Sequence, residues 1–343
     1  MLINKYATII IGDNMDFTLL KKTIDSRLES ILQTELIKHQ SNKIISNNIQ
    51  DFLRLSKGGK RIRAILVIIG SQLKGKKKVD DNIIDLAVAV ELMQTAILIH
   101  DDIIDQADKR RGEVTINHKY SMLGVPKAIC VGDYGFFLTY QIINQLNIED
   151  KIKNNLNIIM TRMMYNTVLG EILDVELPHQ PNPTQADLNS IYINKTAWYT
   201  AIGPLLLGAS FINITKELET EIINFGTNLG IAFQIKDDLI SISNQTDKSS
   251  NSDILEGKIT EMYLYTKNNK KDDIIGYGDR SISDQVISNI KNQFKNNGAI
   301  KYATDQADYY SKEALDILRT MDINNNIKED LIKLINVLLT RKK

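Results

Sequence analysis

The chain contains one long, mostly apolar stretch that must be buried: residues 83–105, which read IIDLAVAVELMQTAILIHDDIID. Its length and composition predict a buried helix of about twenty residues. Asp101 and Asp105 are four residues apart and share one face of this helix, with Asp102 beside them. Three carboxylates at a helix C-terminus repel one another and meet the negative end of the helix dipole, so we expect a bound cation there.

The hard oxygen donors of this cluster favour Mg²⁺, which keeps several waters and is often bound by one or two carboxylates together with substrate phosphates. A solvated helix end is the alternative interpretation of any short acidic run. Asp80 and Asp81 form an equally acidic run, but they lie where the helix begins, so they can cap free N–H groups and complement the dipole. We interpret that run as structural and the cluster from Asp101 to Asp105 as functional.

Two basic segments accompany the acidic cluster. Arg110 and Arg111 follow it directly, and their planar guanidinium groups can bind the phosphate oxygens of a metal-bound diphosphate. Alone, such a run is usually a solvated loop. Residues 56–63, SKGGKRIR, place glycines at a helix entry before three cations, which favours a second diphosphate site. They are not a Walker loop, because the preceding strand and the spaced first glycine are missing.

A second acidic pair, Asp237 and Asp238, follows the apolar segment at residues 229–235, again late in a predicted helix. Two separated carboxylate clusters could hold several Mg²⁺ ions against one diphosphate and neutralise its charge as it leaves. The alternative for this pair alone is an exposed turn.

Apolar residues recur at three- and four-residue spacing through most of the 343 residues, and only five prolines interrupt them. This predicts an all-α protein. We expect a single helical domain over residues 1–343, in which residues 1–14 are a candidate disordered extension and either Met1 or Met15 is the start. The predicted helices span residues 15–40, 43–55, 59–73, 82–105, 116–122, 126–145, 150–175, 184–193, 195–211, 216–242, 281–297, 299–321 and 325–341.

Composition restricts the class of function. Basic and acidic residues are equal in number, 42 each, so no global field attracts nucleic acid or an anionic membrane. A single cysteine, Cys130, cannot form an internal disulfide, which fits a reducing cytoplasmic location. No two of the four histidines have helical ligand spacing, so a metal site would rely on oxygen ligands. The longest early apolar run, Ala7 to Ile11, is too short for an export signal or a membrane span.

Taken in order, these motifs resemble the trans-isoprenyl diphosphate synthases, the polyprenyl synthetase family, from about Lys57 to Thr260. GGKRIR at residues 58–63 is similar to the family's isopentenyl diphosphate motif. Residues 101–105 with RRG at residues 110–112 resemble its first aspartate-rich region, and FQIKDD at residues 233–238 resembles the second. The resemblance implies a large helical bundle around a central catalytic cavity.

The resemblance also implies the roles of single residues. Metal binding would fall to Asp101, Asp102, Asp105, Asp237, Asp238 and Asp253. Isopentenyl diphosphate would be bound by Gly59, Lys60, Arg63, Gln94 and Arg111, and the allylic diphosphate by Arg110, Lys195, Lys248 and Lys258. Lys195, Thr196 and Gln234 would stabilise the carbocation, and they complete the catalytic set with Asp101, Asp102, Asp105 and Asp237.

The sequence departs from the family pattern at three places. Ser241 stands where the second acidic region usually has its third aspartate, Ala64 replaces the usual proline after Arg63, and Gln94 stands where many relatives have histidine. We therefore expect Asp237, Asp238 and Asp253 to supply the metal ligands of that region.

The implied reaction is ionisation of an allylic diphosphate, condensation with isopentenyl diphosphate and elimination of a proton. It would use Mg²⁺, with three ions expected per site and Mn²⁺ as a substitute, and dimethylallyl, geranyl or farnesyl diphosphate as primer. The protein would be a homodimer. Ala96 and Ile97 precede Asp101 by about one turn and would set the product length, at about twenty carbons or more if the small Ala96 leaves the cavity open. Ala96 could instead be small only for close helix packing.

Two rival functions stay open. A class I terpene cyclase also uses an aspartate-rich helix and Mg²⁺, but it needs a single diphosphate site, whereas Lys60, Arg63 and Arg111 would supply a second. A catalytically silent subunit that regulates a true synthase would not need the acidic clusters or Lys195 intact.

Overall fold

The computed structural model of the chain describes residues 15–75, 79–243, 251–270 and 273–339. Within these ranges the regular structure is helical, apart from one hairpin of two short strands. The residues group into two compact units: Met1–Met160 with Pro204–Ile214 form the first, and Thr161–Gly203 with Thr215–Lys343 form the second. The all-α class expected from the sequence is confirmed.

The first unit contains the helix with the acidic end and the short hairpin that follows it. Its elements are α1 (Phe17–Lys38), α2 (Lys43–Ser56), α3 (Ile62–Gly70), α4 (Asp81–Ile104), β1 (Lys109–Arg110), β2 (Glu113–Val114), α5 (Ile116–Lys119), a 3₁₀ turn (Ser121–Leu123) and α6 (Gly124–Gln145). Helix α7 (Asp150–Glu176) has residues in both units.

The second unit is built on a long helix, α10, that bears the second acidic pair. After a 3₁₀ turn (Leu177–His179) come α8 (Gln185–Ile191), a π-helical segment (Tyr192–Ile202) and α9 (Gly203–Ala209), most of which belongs to the first unit. Then follow α10 (Lys216–Ser243), α11 (Ser252–Glu256), α12 (Glu261–Tyr265), a second π-helical segment (Thr266–Lys270), α13 (Asp284–Asn296), α14 (Ala299–Thr320) and α15 (Asn325–Leu339).

Side-chain caps fix where several helices begin. The Asp80 carboxylate accepts a hydrogen bond of 3.0 Å from the backbone N–H of Ile83, as the structural interpretation of that acidic run required. Thr184 and Asp187 form a reciprocal capping box at the start of α8. Each such cap stabilises its helix by about 1 kcal/mol, because it satisfies N–H groups that lack an intrahelical partner.

Helix α4 is the core helix of the first unit and packs against α3 and α6. Among the described helices it alone has the length and hydropathy of a membrane span, but 72% of that stretch is buried inside the protein. Burial on nearly all sides explains why its sequence shows a continuous apolar run and not one apolar stripe. The exceptions include Asp101 and Asp105 at its C-terminal end, which are partly exposed, and Asp81 at its N-terminal end, which is exposed.

The hairpin after α4 is the one strand pair in the described residues, and the sequence interpretation missed it. Lys109 pairs with Val114 and Arg110 with Glu113, so Arg111 and Gly112 form a two-residue turn. Their φ angles are 52° and 82°. Two successive positive φ values are the mark of a type I′ turn, which suits the twist of a hairpin; glycine adopts them freely, but an arginine seldom does.

The predicted helices agree with the structure within a few residues, except in two places. No helix was predicted between residues 242 and 281, but Thr266–Lys270 is π-helical. The helices predicted at residues 184–193 and 195–211 are continuous through the wide turns of Tyr192–Ile202. The five-residue helices α11 and α12 are too short to show a periodic pattern.

Helices α3 and α9 touch through their backbones at two glycines. A Cβ atom added to Gly208 would lie 1.9 Å from the carbonyl oxygen of Val67, and one added to Gly70 would lie 2.3 Å from that of Leu205. No side chain fits there, so this contact in the first unit requires glycine on both helices.

We therefore expect Gly208→Ala to lower the free energy of unfolding by at least about 1 to 3 kcal/mol, because the two helices must move apart. Urea denaturation followed by circular dichroism measures the change. Asn47→Ala, at an exposed position of α2, is the matched control and should stay within about 0.5 kcal/mol of the wild type. Equal midpoints for the two variants would contradict the close packing of α3 and α9.

Candidate active site

The acidic end of α4 is organised by one arginine of the hairpin. Arg110 donates from Nε to Asp102 at 2.5 Å and from a terminal nitrogen to Asp101 at 2.7 Å. The Asp102 side chain is 2% exposed, whereas that of Asp101 is 17% exposed. Burial raises the pKa of Asp102 to about 6, against the opposing effect of Arg110, and the charges of Asp101 and Asp105 add to the rise. Asp102 therefore faces the protein, while Asp101 and Asp105 face outward.

Next to this cluster, the first unit has a cavity of about 290 Å³ with four cations in its lining. They are Arg54 and Lys57 near the end of α2, and Arg110 and Arg111 of the hairpin. The lining residues are Arg54, Leu55, Lys57, Gly58, Thr95, Leu98, Ile99, Asp102, Arg110, Arg111 and Glu113. A cationic rim beside apolar side chains suits a small ligand with an anionic head and an apolar body.

Arg61, one of the three cations that follow the glycines at residues 58–59, has a structural role. Its side chain is 3% exposed and donates to Asp25 at 2.6 Å, to Glu91 at 3.2 Å and to the carbonyl of Ser56 at 2.7 Å. Buried arginine is tolerated only when its donors are paired in this way. The network ties the segment between α2 and α3 to α1 and α4, and so fixes the entry to the cavity.

The predicted isopentenyl diphosphate residues have different positions. Arg111 lines the cavity, and a Cβ atom at Gly59 would lie 3.5 Å from its guanidinium. Lys60 is exposed, Arg63 is 7% exposed and Gln94 is half-buried, and these three are not lining residues. Burial lowers the pKa of Arg111, and the positive charges of Arg61, Arg110 and Arg63 act in the same direction, so this region favours an anion.

Sequence reasoning missed Arg54 and Lys57. Arg54 lies four residues before Gly58 and outside the basic segment at residues 56–63, whereas Lys57 belongs to that segment but was given no role of its own. Helical spacing could have identified Arg54, because a residue four positions before Gly58 lies on the face of α2 that leads into the glycine segment.

In the second unit, Asp238 is the buried member of the acidic pair. It is 7% exposed, and its two oxygens accept hydrogen bonds of 2.9 Å from Gln234 and 2.9 Å from the hydroxyl of Tyr192. Burial raises the pKa of Asp238, and the nearby charge of Asp253 raises it further. Asp237, its neighbour, is more exposed. Asp102 and Asp238 thus correspond: each is a buried carboxylate engaged by protein donors next to a more exposed aspartate.

Lys195 lies in the π-helical segment, where two carboxylates of α7 hold its ammonium group. Its Nζ is 2.5 Å from Asp174 and 2.9 Å from Glu171. A Cβ atom at Gly170 would lie 2.1 Å from the backbone nitrogen of Lys195, so only glycine permits this approach. Wide π-helical turns often occur at functional positions. Lys195 is therefore oriented by carboxylates rather than extended into solvent.

Thr196 and Gln234, the predicted dipoles, belong to the same chain of hydrogen bonds as Asp238. The Thr196 hydroxyl donates to the Gln234 side-chain oxygen at 2.7 Å, and the Gln234 amide then donates to Asp238. These bonds fix the orientation of the Gln234 amide.

Ser241 contacts the aspartate that was expected to replace the missing third carboxylate. Its hydroxyl oxygen lies 2.6 Å from an oxygen of Asp253 and 2.8 Å from the carbonyl of Asp238. Lys258 lies 3.2 Å from Glu256. Lys248 lies outside the described residues. The structure thus brings Asp253 to the Asp238 region and leaves the contacts predicted for Lys248 undescribed.

The donor chemistry of these groups fits Mg²⁺. All the candidate ligands are carboxylate oxygens, and within the described ranges no three acidic, histidine or cysteine side chains already converge on one point. Mg²⁺ commonly keeps waters and completes its shell with substrate phosphates, so it does not require a complete protein cage. Asp101 and Asp105 are the residues that would hold Mg²⁺ in the first unit, and Asp237 and Asp253 are the corresponding residues in the second.

The two predicted chain-length residues differ in environment. Ala96 is fully buried, and its Cβ lies 2.9 Å from where a Cβ of Gly135 in α6 would be, so α4 and α6 approach closely there. This favours the alternative that Ala96 is small for packing. Ile97 is partly exposed and lies one turn before Asp101 on the same face of α4.

The comparisons with known proteins agree on one family. Residues 42–307 match the family model described as polyprenyl synthetase. Geranylgeranyl diphosphate synthase of Sulfolobus acidocaldarius is 30% identical over 292 residues, covering 80% of this chain and 84% of that protein. Octaprenyl diphosphate synthase of Haemophilus influenzae is 26% identical over 335 residues, covering 94% and 96%.

Solved structures share the fold. The structure of geranylgeranyl pyrophosphate synthase from Corynebacterium glutamicum, complexed with isoprenyl diphosphate and magnesium, has a TM-score of 0.88 and 24% sequence identity. The match covers 96% of this chain and 100% of that chain.

The contrast between Arg110 and Arg111 can be tested directly. Arg110→Ala leaves the buried Asp102 without its partner, so the free energy of unfolding should fall by about 3 kcal/mol. Arg111→Ala removes a cation that other cations surround, so the free energy should fall by less than about 1 kcal/mol or even rise. Urea denaturation of both variants at neutral pH measures the difference. Equal losses would show that Arg110 does not stabilise the acidic end of α4.

Proposed function

This chain belongs to the polyprenyl synthetase family and is a trans-prenyltransferase that elongates prenyl diphosphates, and we propose which of its groups perform each step. The substrates are isopentenyl diphosphate and an allylic primer such as dimethylallyl, geranyl or farnesyl diphosphate. The product has about twenty carbons or more, as the names of the geranylgeranyl and octaprenyl synthases among its relatives suggest.

One observation carries the proposal: the outward-facing carboxylates at the end of α4 adjoin a cationic cavity with an apolar floor, all within the first unit. The cluster of carboxylates, which suits Mg²⁺, and the separate cluster of cations could each bind one diphosphate. A cyclase needs only one diphosphate site. The same observation disfavours a silent subunit, which would have no use for an intact pair of sites.

Bound Mg²⁺ would neutralise the allylic diphosphate and so make it a better leaving group. Asp101 and Asp105 of α4 are proposed as metal ligands in the first unit, and Asp237 of α10 with Asp253 as metal ligands in the second. Asp102 and Asp238 are assigned a supporting part, since both are buried, Asp102 against Arg110 and Asp238 against Gln234 and Tyr192. Three ions per site and substitution by Mn²⁺ belong to the same proposal.

The cations would bind the phosphate groups directly. Arg111, Lys60, Arg63, Gln94 and Gly59 are proposed for isopentenyl diphosphate, and Arg110, Lys195, Lys248 and Lys258 for the allylic diphosphate. Lys195 can adopt this function because Asp174 and Glu171 hold its charge in place before substrate binds. Preorganised charge of this kind lowers a barrier without reorganisation during the reaction.

The allylic carbocation would be stabilised by the Lys195–Thr196 backbone and by the Gln234 amide, whose oxygen and nitrogen are fixed by Thr196 and Asp238. Attack by the isopentenyl double bond forms the new carbon–carbon bond, and the departed diphosphate takes the proton that is lost. No histidine base is required.

Assembly and location complete the proposal. Helix α6 exposes Val125, Ile129 and Phe137 at four- and eight-residue spacing, with Phe137 75% exposed. Such an apolar stripe supports a homodimer.

A cytoplasmic location is proposed because a single cysteine suits a reducing compartment. A single functional domain over residues 1–343 is likewise proposed.

A steady-state assay tests the proposed function. The purified chain is incubated with isopentenyl diphosphate, each of the three primers and Mg²⁺, and the dephosphorylated products are separated by chromatography. We expect chain elongation to about twenty carbons or beyond, and none after chelation of the metal. Cyclic hydrocarbons from the primer alone would indicate a cyclase, and complete inactivity would indicate a silent subunit.

Asp101→Ala and Asp237→Ala should each lower kcat by at least about a hundredfold, because each removes a ligand for the metal that stabilises the leaving diphosphate. Far-UV circular dichroism should be unchanged. Asp81→Ala, at the other end of α4, is the matched control and should keep wild-type turnover. Near-normal Mg²⁺-dependent turnover in a folded Asp101→Ala variant would refute the metal assignment.

Ile97→Phe should shorten the product while preserving the first condensation, because a tail that runs back along α4 from Asp101 advances about one turn, 5.4 Å, per isoprene unit. Ala96→Phe should instead destabilise the protein, because Ala96 packs against Gly135. Chromatography of the products and thermal denaturation separate these two effects. An unchanged product length in active Ile97→Phe would place length control on another helix, around Phe136 to Tyr140.

A further inference from the structure

The cationic cavity of the first unit contains an arginine that the proposed function leaves unused. Arg54, in the last turn of α2, lines the cavity together with Arg111 and Arg110. Its Nε and one terminal nitrogen, Nη2, are buried, and neither has a hydrogen-bond partner among the described residues. Buried N–H groups of a guanidinium are costly to leave unsatisfied, so a ligand that accepts from both would be favoured.

The protein groups nearest to Arg54 do not satisfy these donors. Nη2 lies 3.6 Å from Asp51, beyond hydrogen-bond distance, and the two Asp51 oxygens already accept from Lys119 at 2.7 Å and from Tyr120 at 2.5 Å. The remaining terminal nitrogen, Nη1, donates to Glu113 at 3.0 Å. The Glu113 side chain is 57% exposed, so this pair is weak and easily rearranged.

The charge of the cavity lining also calls for an anion. Four cations line the cavity, and the two carboxylates in the lining, Asp102 and Glu113, are already paired with Arg110 and Arg54. Cations therefore outnumber carboxylates in the lining by two, and one of these cations, Lys57, is also paired with Glu29 at 3.1 Å. The outward-facing Asp101 and Asp105 are not lining residues, so the anion here would be bound by arginine and lysine rather than through a metal.

The apolar part of the lining identifies the anion further. Leu55, Leu98 and Ile99 form it, next to the cationic side chains. A diphosphate that carries a short branched alkenyl group could place its phosphates against the cations and its alkenyl group against the apolar side chains. Burial and the surrounding arginine charges lower the pKa of Arg111 in the same cavity, which independently indicates a strongly positive region that an anion would relieve.

We propose that Arg54 is a substrate-binding residue that donates from Nε and Nη2 to the diphosphate of isopentenyl diphosphate, opposite Arg111 in this cavity. The inference rests on the proposed function, because it assigns the cavity to the isopentenyl substrate. The two donors lie side by side on the planar guanidinium, which is the geometry that binds two phosphate oxygens at once. Glu113 contacts Nη1 alone and leaves those two donors unoccupied.

The test compares Arg54→Ala with the wild type in the full chain. The KM for isopentenyl diphosphate should rise about tenfold to a hundredfold, because two charge-assisted hydrogen bonds are lost, while the KM for the allylic primer should change less than about threefold. Titration calorimetry with isopentenyl diphosphate alone, and with inorganic pyrophosphate as a second probe, should show the same loss of affinity. Arg54→Lys keeps the charge without the fork and should recover part of it.

Two controls separate binding from support of the hairpin. If Arg54 only anchored the hairpin through Glu113, Glu113→Gln would reproduce the loss. If Arg54 binds the anion, Glu113→Gln should bind isopentenyl diphosphate at least as tightly as the wild type. Arg27→Ala removes an arginine of similar exposure that is paired bidentately with Asp85, and it should lower stability without changing the isopentenyl KM.

Unchanged isopentenyl affinity in folded Arg54→Ala, or an equal loss in Glu113→Gln, would overturn the inference. If Arg54→Ala does not fold, wild-type affinity in Arg54→Lys would overturn it as well, because a lysine cannot supply the paired donors. The failure of the proposed function looks different: the wild type would then bind isopentenyl diphosphate or pyrophosphate in an Arg54-dependent way but form no elongated product.

Discussion

The negative charge at the C-terminal end of α4 is the constraint on which the first unit depends. Three carboxylates meet there at the unfavourable end of the helix dipole, and one of them, Asp102, is buried. Arg110 is the cation that makes this burial tolerable, and it must come from a segment that turns back sharply after the helix. The two-residue turn of Arg111 and Gly112 provides that reversal, with φ angles that few arginines adopt. The same turn places the Arg111 guanidinium beside Gly59. Charge balance thus requires the hairpin, and the hairpin completes the cationic cavity.

The second unit solves the same problem with neutral donors. Asp238 is buried, and a side-chain amide and a phenol hold it where Arg110 holds Asp102. In both units the buried carboxylate is satisfied by protein donors and lies next to a more exposed aspartate, Asp101 in the first unit and Asp237 in the second. Ser241 extends this arrangement: a hydroxyl in place of a third aspartate can approach the Asp253 carboxylate without repulsion. The departure from the family pattern therefore has a local physical explanation.

The sequence predicted the helices well, because burial on one side imposes a periodic pattern on most long helices and burial on nearly all sides gives α4 a long apolar run. It also predicted which segments carry charge: Asp101 and Lys195 lie on helical segments next to the partners described above, and Asp237 lies on α10 beside the buried Asp238. It could not predict the hairpin, since a two-residue strand leaves no pattern. Nor could it distinguish Arg61, which is fully engaged inside the protein, from the cations nearby, because burial depends on Asp25 and Glu91 from distant parts of the chain.

The most direct test of the account is calorimetric titration of Mg²⁺ into the protein in the presence of inorganic pyrophosphate. The wild type should bind Mg²⁺ in a diphosphate-dependent manner, because the outward-facing carboxylates and the phosphate oxygens share the ion. Asp101→Asn should lose most of this binding, and Asp80→Asn, which alters an equally acidic run at the other end of α4, should retain it. Equal binding by the wild type and Asp101→Asn would contradict the claim that the acidic end of α4 is a metal site.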